Sequence, residues 1–127
     1  MTQEDKQLLL KDICARLPYK VKGVYARTDI KNLSICEITT HLYGEMEESY
    51  NGKEKYEFIP YLRPMSSMTD EEQRTLDSMC NGVEMVSRLS GLKMFDKAFD
   101  WLNKNHFDYR GLIEKGLAFD ATGLNIY

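Results

Sequence analysis

A chain of 127 residues, 43% hydrophobic and 29% charged, is long enough for one domain with a core of its own. Its net charge of -3 argues against a dedicated nucleic-acid binder, which is usually basic. No apolar run approaches a membrane span, and the polar, acidic N-terminus predicts no signal peptide, because Leu8-Leu9-Leu10 is too short an apolar core for one.

Cys14, Cys36 and Cys80 are odd in number and widely spaced. That fits neither a disulfide framework nor a paired-cysteine zinc site, so reduced thiols in a cytoplasmic protein are expected.

In chain order, Thr2 caps a helix whose apolar face is Leu9, Leu10, Ile13, Cys14 and Leu17. Glu4 and Asp5 lie where the helix dipole favours negative charge, and Pro18 ends the helix. Cys14 on the apolar face reads as a buried structural thiol. Tyr19 to Arg27 alternates as a half-buried strand does, with Gly23 marking a bulge or a close backbone approach. After a polar break at Asp29 to Asn32, the β-branched run in Leu33 to Leu42 predicts a second strand. Glu45 to Tyr50 fits no single template. Asn51-Gly52 is a hairpin signal, and Lys53 to Leu62 follows as a third strand. Pro60 places that strand at an edge, because proline donates nothing to a ladder. Three or four such strands make an antiparallel meander that could curl into a small SH3-like barrel.

Pro64 and Ser66-Ser67 then link to a helical part. Thr69 and Glu72 form a capping-box pattern ahead of Leu76, Met79, Cys80, Val83 and Val86. This predicts one helix from Asp70 to about Arg88, bent at Asn81-Gly82 and stopped by Ser90-Gly91. Phe95, Ala98, Phe99 and Leu102 define the apolar face of the next helix, Lys93 to Lys104. A turn at Asn105-His106 leads to Asp108 as the cap of a short helix, with Phe107 and Leu112 as a hydrophobic staple and Gly116 as its stop. The expected fold is therefore α+β in a single domain, 1–127, with helix plus sheet over 1–64 and helices over 65–127.

Four stretches carry a resemblance: LLLKDICARLPY (Leu8 to Tyr19), LPYKVKGV (Leu17 to Val24), PYLRPMSSMT (Pro60 to Thr69) and FDYRGLIEKGLA (Phe107 to Ala118). Together they resemble a group of small uncharacterised proteins from gut bacteria and their phages or mobile elements. The resemblance covers about half of the chain. It implies a bacterial or phage cytosolic setting and transfers no catalytic residues. Thr28 to Lys55 and Asp77 to Lys93 match poorly, which is where a surface specific to this chain is expected.

The sequence holds no catalytic signature. His41 and His106 are its only histidines, with no HExxH or paired-cysteine spacing for a metal. No glycine-rich loop precedes a helix in a phosphate-cradling arrangement, so no cofactor is expected. Glu45, Glu47 and Glu48 read as a solvated charge run, because a cation site needs an oxygen cage. His106 and Asp108 read as a turn histidine beside a helix cap, close enough for a mutual hydrogen bond. Arg110, opposed by the helix dipole, should find a carboxylate in its own chain or on a partner. Tyr109-Arg110 is the best candidate contact pair, since both types are enriched at interface centres.

Arg16, Lys20, Lys22, Arg27 and Lys31 oppose a single Asp29, while Glu45 to Glu57 is acidic. If the two stretches are neighbours in the sheet, their opposite charges pair across the strands or are simply solvated; if they lie apart, Tyr19 and Tyr25 among the basic residues make a face for single-stranded nucleic acid. The functional expectation is a non-enzymatic protein-interaction or accessory module of a phage or mobile element, with a protein partner and no membrane. The alternatives are a nucleic-acid-binding module using the basic strand, with Lys20, Lys22 and Arg27, and an enzyme with a site at His106, Asp108, Tyr109 and Arg110. Homodimerisation through a sheet edge or a helical face is left open.

Overall fold

A computed structural model describes residues 2–27, 35–51, 56–80 and 88–127. The architecture is α+β: an N-terminal helix, an open mixed sheet and C-terminal helices. Helix α1 runs Gln3–Arg16 behind the cap expected of Thr2. The Thr2 hydroxyl accepts from the Asp5 amide at 3.1 Å, and the Asp5 carboxylate accepts from the Thr2 amide at 3.3 Å. Pro18 sits in a 3-10 turn over Leu17–Tyr19, closed by Lys20 at a left-handed φ of 56°.

The buried face of α1 consists of Leu9, Asp12, Ile13 and Arg16, with Leu10 beside them. Cys14 is exposed, not buried as the apolar spacing suggests. It follows Ile13 by one residue and so lies roughly 100° further round the helix. An acid and a base take the core positions that a purely apolar stripe would have given to Cys14 and Leu17.

Strand β1 (Lys22–Arg27) pairs antiparallel with β2 (Ile35–Glu37), Gly23 opposite Cys36. On its other side β1 pairs antiparallel with β3 (Tyr56–Pro64), Gly23 opposite Pro60 and Tyr25 opposite Phe58. Gly23 is the close approach that its position in the strand implies. A Cβ there would lie 2.4 Å from the Ile59 carbonyl oxygen, 2.6 Å from Phe58 Cζ and 2.8 Å from Pro60 Cα.

The segment between β2 and β3 is a helix, α2 (Thr40–Asn51), which corrects both the long second strand and the hairpin. The Thr39 hydroxyl caps it by accepting from the Leu42 amide at 3.1 Å, so a β-branched residue that suggested a strand acts as a helix cap. Met46 and Ser49 are buried and Leu42 is half-buried, at the four- and three-residue spacing of one helix face. Asn51 is the last residue of α2, and Gly52 lies outside the described residues.

Strand β3 has the most partners and is not an edge. It also pairs in parallel with β4 (Phe107–Asp108) and with β5 (Phe119–Asp120), by two residues each. The sheet is therefore mixed and open rather than a purely antiparallel meander or a barrel. Pro60 is buried in it. Proline is tolerated there because β5 joins β3 only from Tyr61 and β4 only from Arg63, so at Pro60 β1 alone forms a ladder.

Beyond a 3-10 turn at Met65–Ser67, helix α3 spans Asp70–Cys80. Its capping box is present: the Glu72 amide donates to the Thr69 hydroxyl and the Thr69 amide to the Glu72 carboxylate, both at 3.1 Å. Helix α4 (Arg88–Lys104) passes through Ser90-Gly91, so that pair does not end a helix, and Asn81-Gly82 lies outside the described residues. The main core joins Leu9, Leu10 and Ile13 to Val21, Ile38, Met46, Phe58, Leu62, Leu112, Leu117 and Ala118.

No regular helix follows Asp108. Residues 112–116 form successive turns, with Gly111 just before them and Gly116 at their end at φ of 75° and 74°. A residue at positive φ three places after the cap breaks the helical path at its start. The Asp108 carboxylate still binds orphan amides, accepting from Leu112 at 2.9 Å and Ile113 at 3.0 Å.

Candidate functional site

The C-terminal turns are fastened to α1 by a buried ionic cluster. Asp12 and Arg16 are one helical turn apart and fully buried. Arg16 Nε donates to Asp12 Oδ2 at 2.9 Å and Nη2 to Oδ1 at 3.1 Å. Nη2 also donates to the Phe107 carbonyl at 2.6 Å, 91 residues along the chain. Arg110 Nη1 completes the arrangement with a 2.8 Å bond to Asp12 Oδ1. The carboxylate that Arg110 was expected to seek is thus in its own chain. One carboxylate between two guanidinium groups satisfies the acid fully, as a buried charge requires.

Tyr109 lies between the two arginines. Its ring centroid is 5.4 Å from the Arg16 guanidinium carbon and 4.7 Å from that of Arg110, and its hydroxyl donates to Asn103 Oδ1 at 2.9 Å. Arg63 plays a parallel part on β3. It forks onto Glu72 at 2.7 and 2.9 Å, holding that carboxyl down to about 2, and stands 4.1 Å over the Phe107 ring.

His106 occupies a left-handed turn at φ 63° and stacks on Tyr127 with centroids 3.7 Å apart. The Tyr127 hydroxyl bridges β1 and β3: its single proton is shared between the Tyr61 and Lys22 carbonyls, at 2.8 and 3.1 Å, and its oxygen accepts from the Lys22 amide at 2.7 Å. Burial, and then the charges of Arg16, Arg63 and Lys22, push the His106 pKa down to about 4. Its Nδ1 is buried with no hydrogen-bond partner among the described residues, which suits a neutral ring. The expected bond between His106 and Asp108 does not form, because Asp108 is occupied by two backbone amides.

These values set a pH dependence. Between about 4 and 6.5 the unfolded chain, with an ordinary histidine, binds more protons than the folded one. The contribution is complete above 6.5 and is lost as pH falls toward 4, by about 3 kcal/mol. Urea titrations from pH 7 to 4 should show this loss, and His106→Asn should flatten it. Asparagine tolerates the positive φ but carries no proton in that range.

The four residues His106, Asp108, Tyr109 and Arg110 are therefore close together but already engaged with the fold. Among the described residues no group of three or more acidic, histidine or cysteine side chains could hold a metal ion. Among its described residues the basic stretch does not form one face. Arg16 is in the core, Lys20 is exposed, and Lys22 Nζ donates to the Ile126 carbonyl at 2.7 Å. The Arg27 side chain lies outside the described part of the structure. Tyr19 donates to Asp100 and Tyr25 to Glu45, so both interleaved tyrosines are turned to carboxylates. Glu45 also pairs with exposed His41 at 3.0 Å.

The largest departure from the sequence reading on the surface is α4. Its apolar stripe is covered on one flank only: Ala98 and Leu102 are buried, while Phe95 is 43% and Phe99 48% exposed. Phe99 leans on Tyr109 with centroids 5.3 Å apart, so the ridge continues into the C-terminal turns. Helix α3, which packs against α4, has no buried residue among its described positions. Periodicity found the stripe but not which half of it the core would cover.

No family profile, curated protein or solved structure matches the chain. No helix among the described residues is long and apolar enough to cross a membrane.

Proposed function

We propose that this chain is a non-enzymatic protein-interaction module that docks a protein partner on the aromatic ridge of α4. The observation that carries the reading is the pair Phe95 and Phe99, one helical turn apart and each nearly half exposed. Water contact on two adjacent phenylalanines is unfavourable by about 25 cal/mol per Å² of apolar surface, and a partner that covers them recovers it. Tyr109 supplies the third ring. The sequence resemblance supports a setting among the accessory proteins of phages or mobile elements.

Aromatic anchors of this kind dominate binding energy where they sit at an interface centre. Phe95→Ala with Phe99→Ala should weaken partner binding by at least about 30-fold, taking roughly 2 kcal/mol for an anchor. Because both rings are exposed, the melting temperature should fall only slightly. Affinity measured by titration calorimetry and a thermal melt of the same variant separate the two effects. Unchanged affinity in a folded variant contradicts the proposal.

A further inference from the structure

The aromatic ridge of α4 is bordered by charges that restrict what can cover it. At about 100° per residue, Asp96 and Asp100 fall on the stripe next to Phe95 and Phe99, on the side away from Ala98 and Leu102. Lys97 and Lys104 lie further round the helix, roughly opposite the phenylalanines. All four charged residues are exposed. Asp96 and Asp100 are in no ion pair among the described residues. Asp100 accepts from the Tyr19 hydroxyl, but that donor is a neutral phenol whose pKa the bond raises, so it compensates no charge. A body that covers the rings therefore meets two unmatched carboxylates along one edge.

From this juxtaposition of an exposed aromatic pair and an unmatched acidic pair on adjoining stripes of one helix, we infer that the partner docks a basic amphipathic helix here. Its apolar side chains would stand one turn apart, with lysine or arginine on the flank that faces Asp96 and Asp100. The inference rests on the ridge being a docking surface and adds the chemistry of what docks. A helix laid along α4 repeats at the same spacing, so its apolar pair packs beside Phe95 and Phe99 while its cations reach the carboxylates. Charges at the rim of an apolar contact select the partner and speed its approach more than they tighten it. The same carboxylates disfavour other occupants. Nucleic acid and an anionic lipid surface are repelled by them. A second copy of this chain, in an antiparallel twofold contact between ridges, would set the two acidic flanks side by side.

Fluorophore-labelled helical peptides, titrated with the full-length protein and read by anisotropy, test the inference. One carries leucines four residues apart flanked by lysines, a second has glutamates for the lysines, and a third has alanines for the leucines. The lysine–leucine peptide should bind at least about tenfold more tightly than either control. Asp96→Asn with Asp100→Asn should weaken it about three- to tenfold, the effect expected of two rim charge pairs, and high salt should shrink that difference. Asparagine keeps an acceptor for Tyr19, so a thermal melt of this variant should match the parent. Phe95→Ala with Phe99→Ala should weaken the same peptide at least about 30-fold. Equal binding of the lysine and glutamate peptides, lost with the phenylalanines, overturns the basic partner and leaves the ridge as a docking surface. So does an unchanged affinity in the folded asparagine variant. Binding that survives loss of the phenylalanines overturns both. Failure of the lysine–leucine peptide to bind overturns the basic helix, and self-association of the parent that the phenylalanine variant abolishes assigns the ridge to a second copy instead.

Discussion

Asp12→Ala should lower the folding free energy by about 3–5 kcal/mol, the loss expected when one partner of a buried ion pair is removed. Asp12 accepts all three hydrogen bonds that tie Arg16 and Arg110 to it. Without it, Arg16 keeps its bond to the Phe107 carbonyl but retains a charge in the core with no counter-charge in contact. Arg16 Nη1 is already buried without a partner among the described residues, so the site has no reserve acceptor. Arg110→Met should cost distinctly less, because the Arg110 side chain is partly exposed and Asp12 keeps Arg16. Urea-induced unfolding followed by circular dichroism would show both midpoints. A small effect for Asp12→Ala would mean that the cluster does not hold the C-terminal turns to α1.

Gly23→Ala should be the second most damaging change, by about 3 kcal/mol, at the upper end of what overpacking costs. All three atoms that the new Cβ would meet are closer than 3.0 Å, and two of them are backbone. Rotamer change relieves only the Phe58 contact; the Ile59 carbonyl and Pro60 Cα move only if β1 and β3 separate. Since Gly23 pairs with both Cys36 and Pro60, the disturbance falls at the centre of the three-strand ladder. A thermal melt lowered by several degrees per kcal/mol is the expected readout. A melt within a degree or two of the parent would show that the strands accommodate a methyl group.

Features encoded within a few residues were legible in the sequence. The caps at Thr2 and Thr69, the close approach at Gly23 and the left-handed Gly116 all depend on local geometry, and each is present. Features that depend on distant partners were not. Asp12 and Arg16 at a four-residue spacing resemble an ordinary surface pair, and their burial follows from contacts 91 and 98 residues away. Pro60 looked like an edge marker because the sequence does not say that β4 and β5 begin beyond it. Helix α2 was hidden by Thr39 and Thr40, whose β-branched side chains favour strands in general but here stand at a helix start. Of the candidate site, residues 106–110 lie together in the fold, and the contacts they make are internal to the chain. The exposed ridge was read as part of one apolar helix face with Ala98 and Leu102, since a periodic stripe reports amphipathicity and not the extent of its cover.

The most direct test of the interaction reading is a tagged pull-down from lysate of the source cells, with nuclease, using three baits. These are the parent chain, the Phe95→Ala/Phe99→Ala variant, and a Lys20→Gln/Lys22→Gln variant, each checked for folding. The ridge reading predicts a protein retained by the parent and by the lysine variant after nuclease, and lost from the phenylalanine variant. Capture that disappears with nuclease, or that depends on the lysines and not on the phenylalanines, would contradict it.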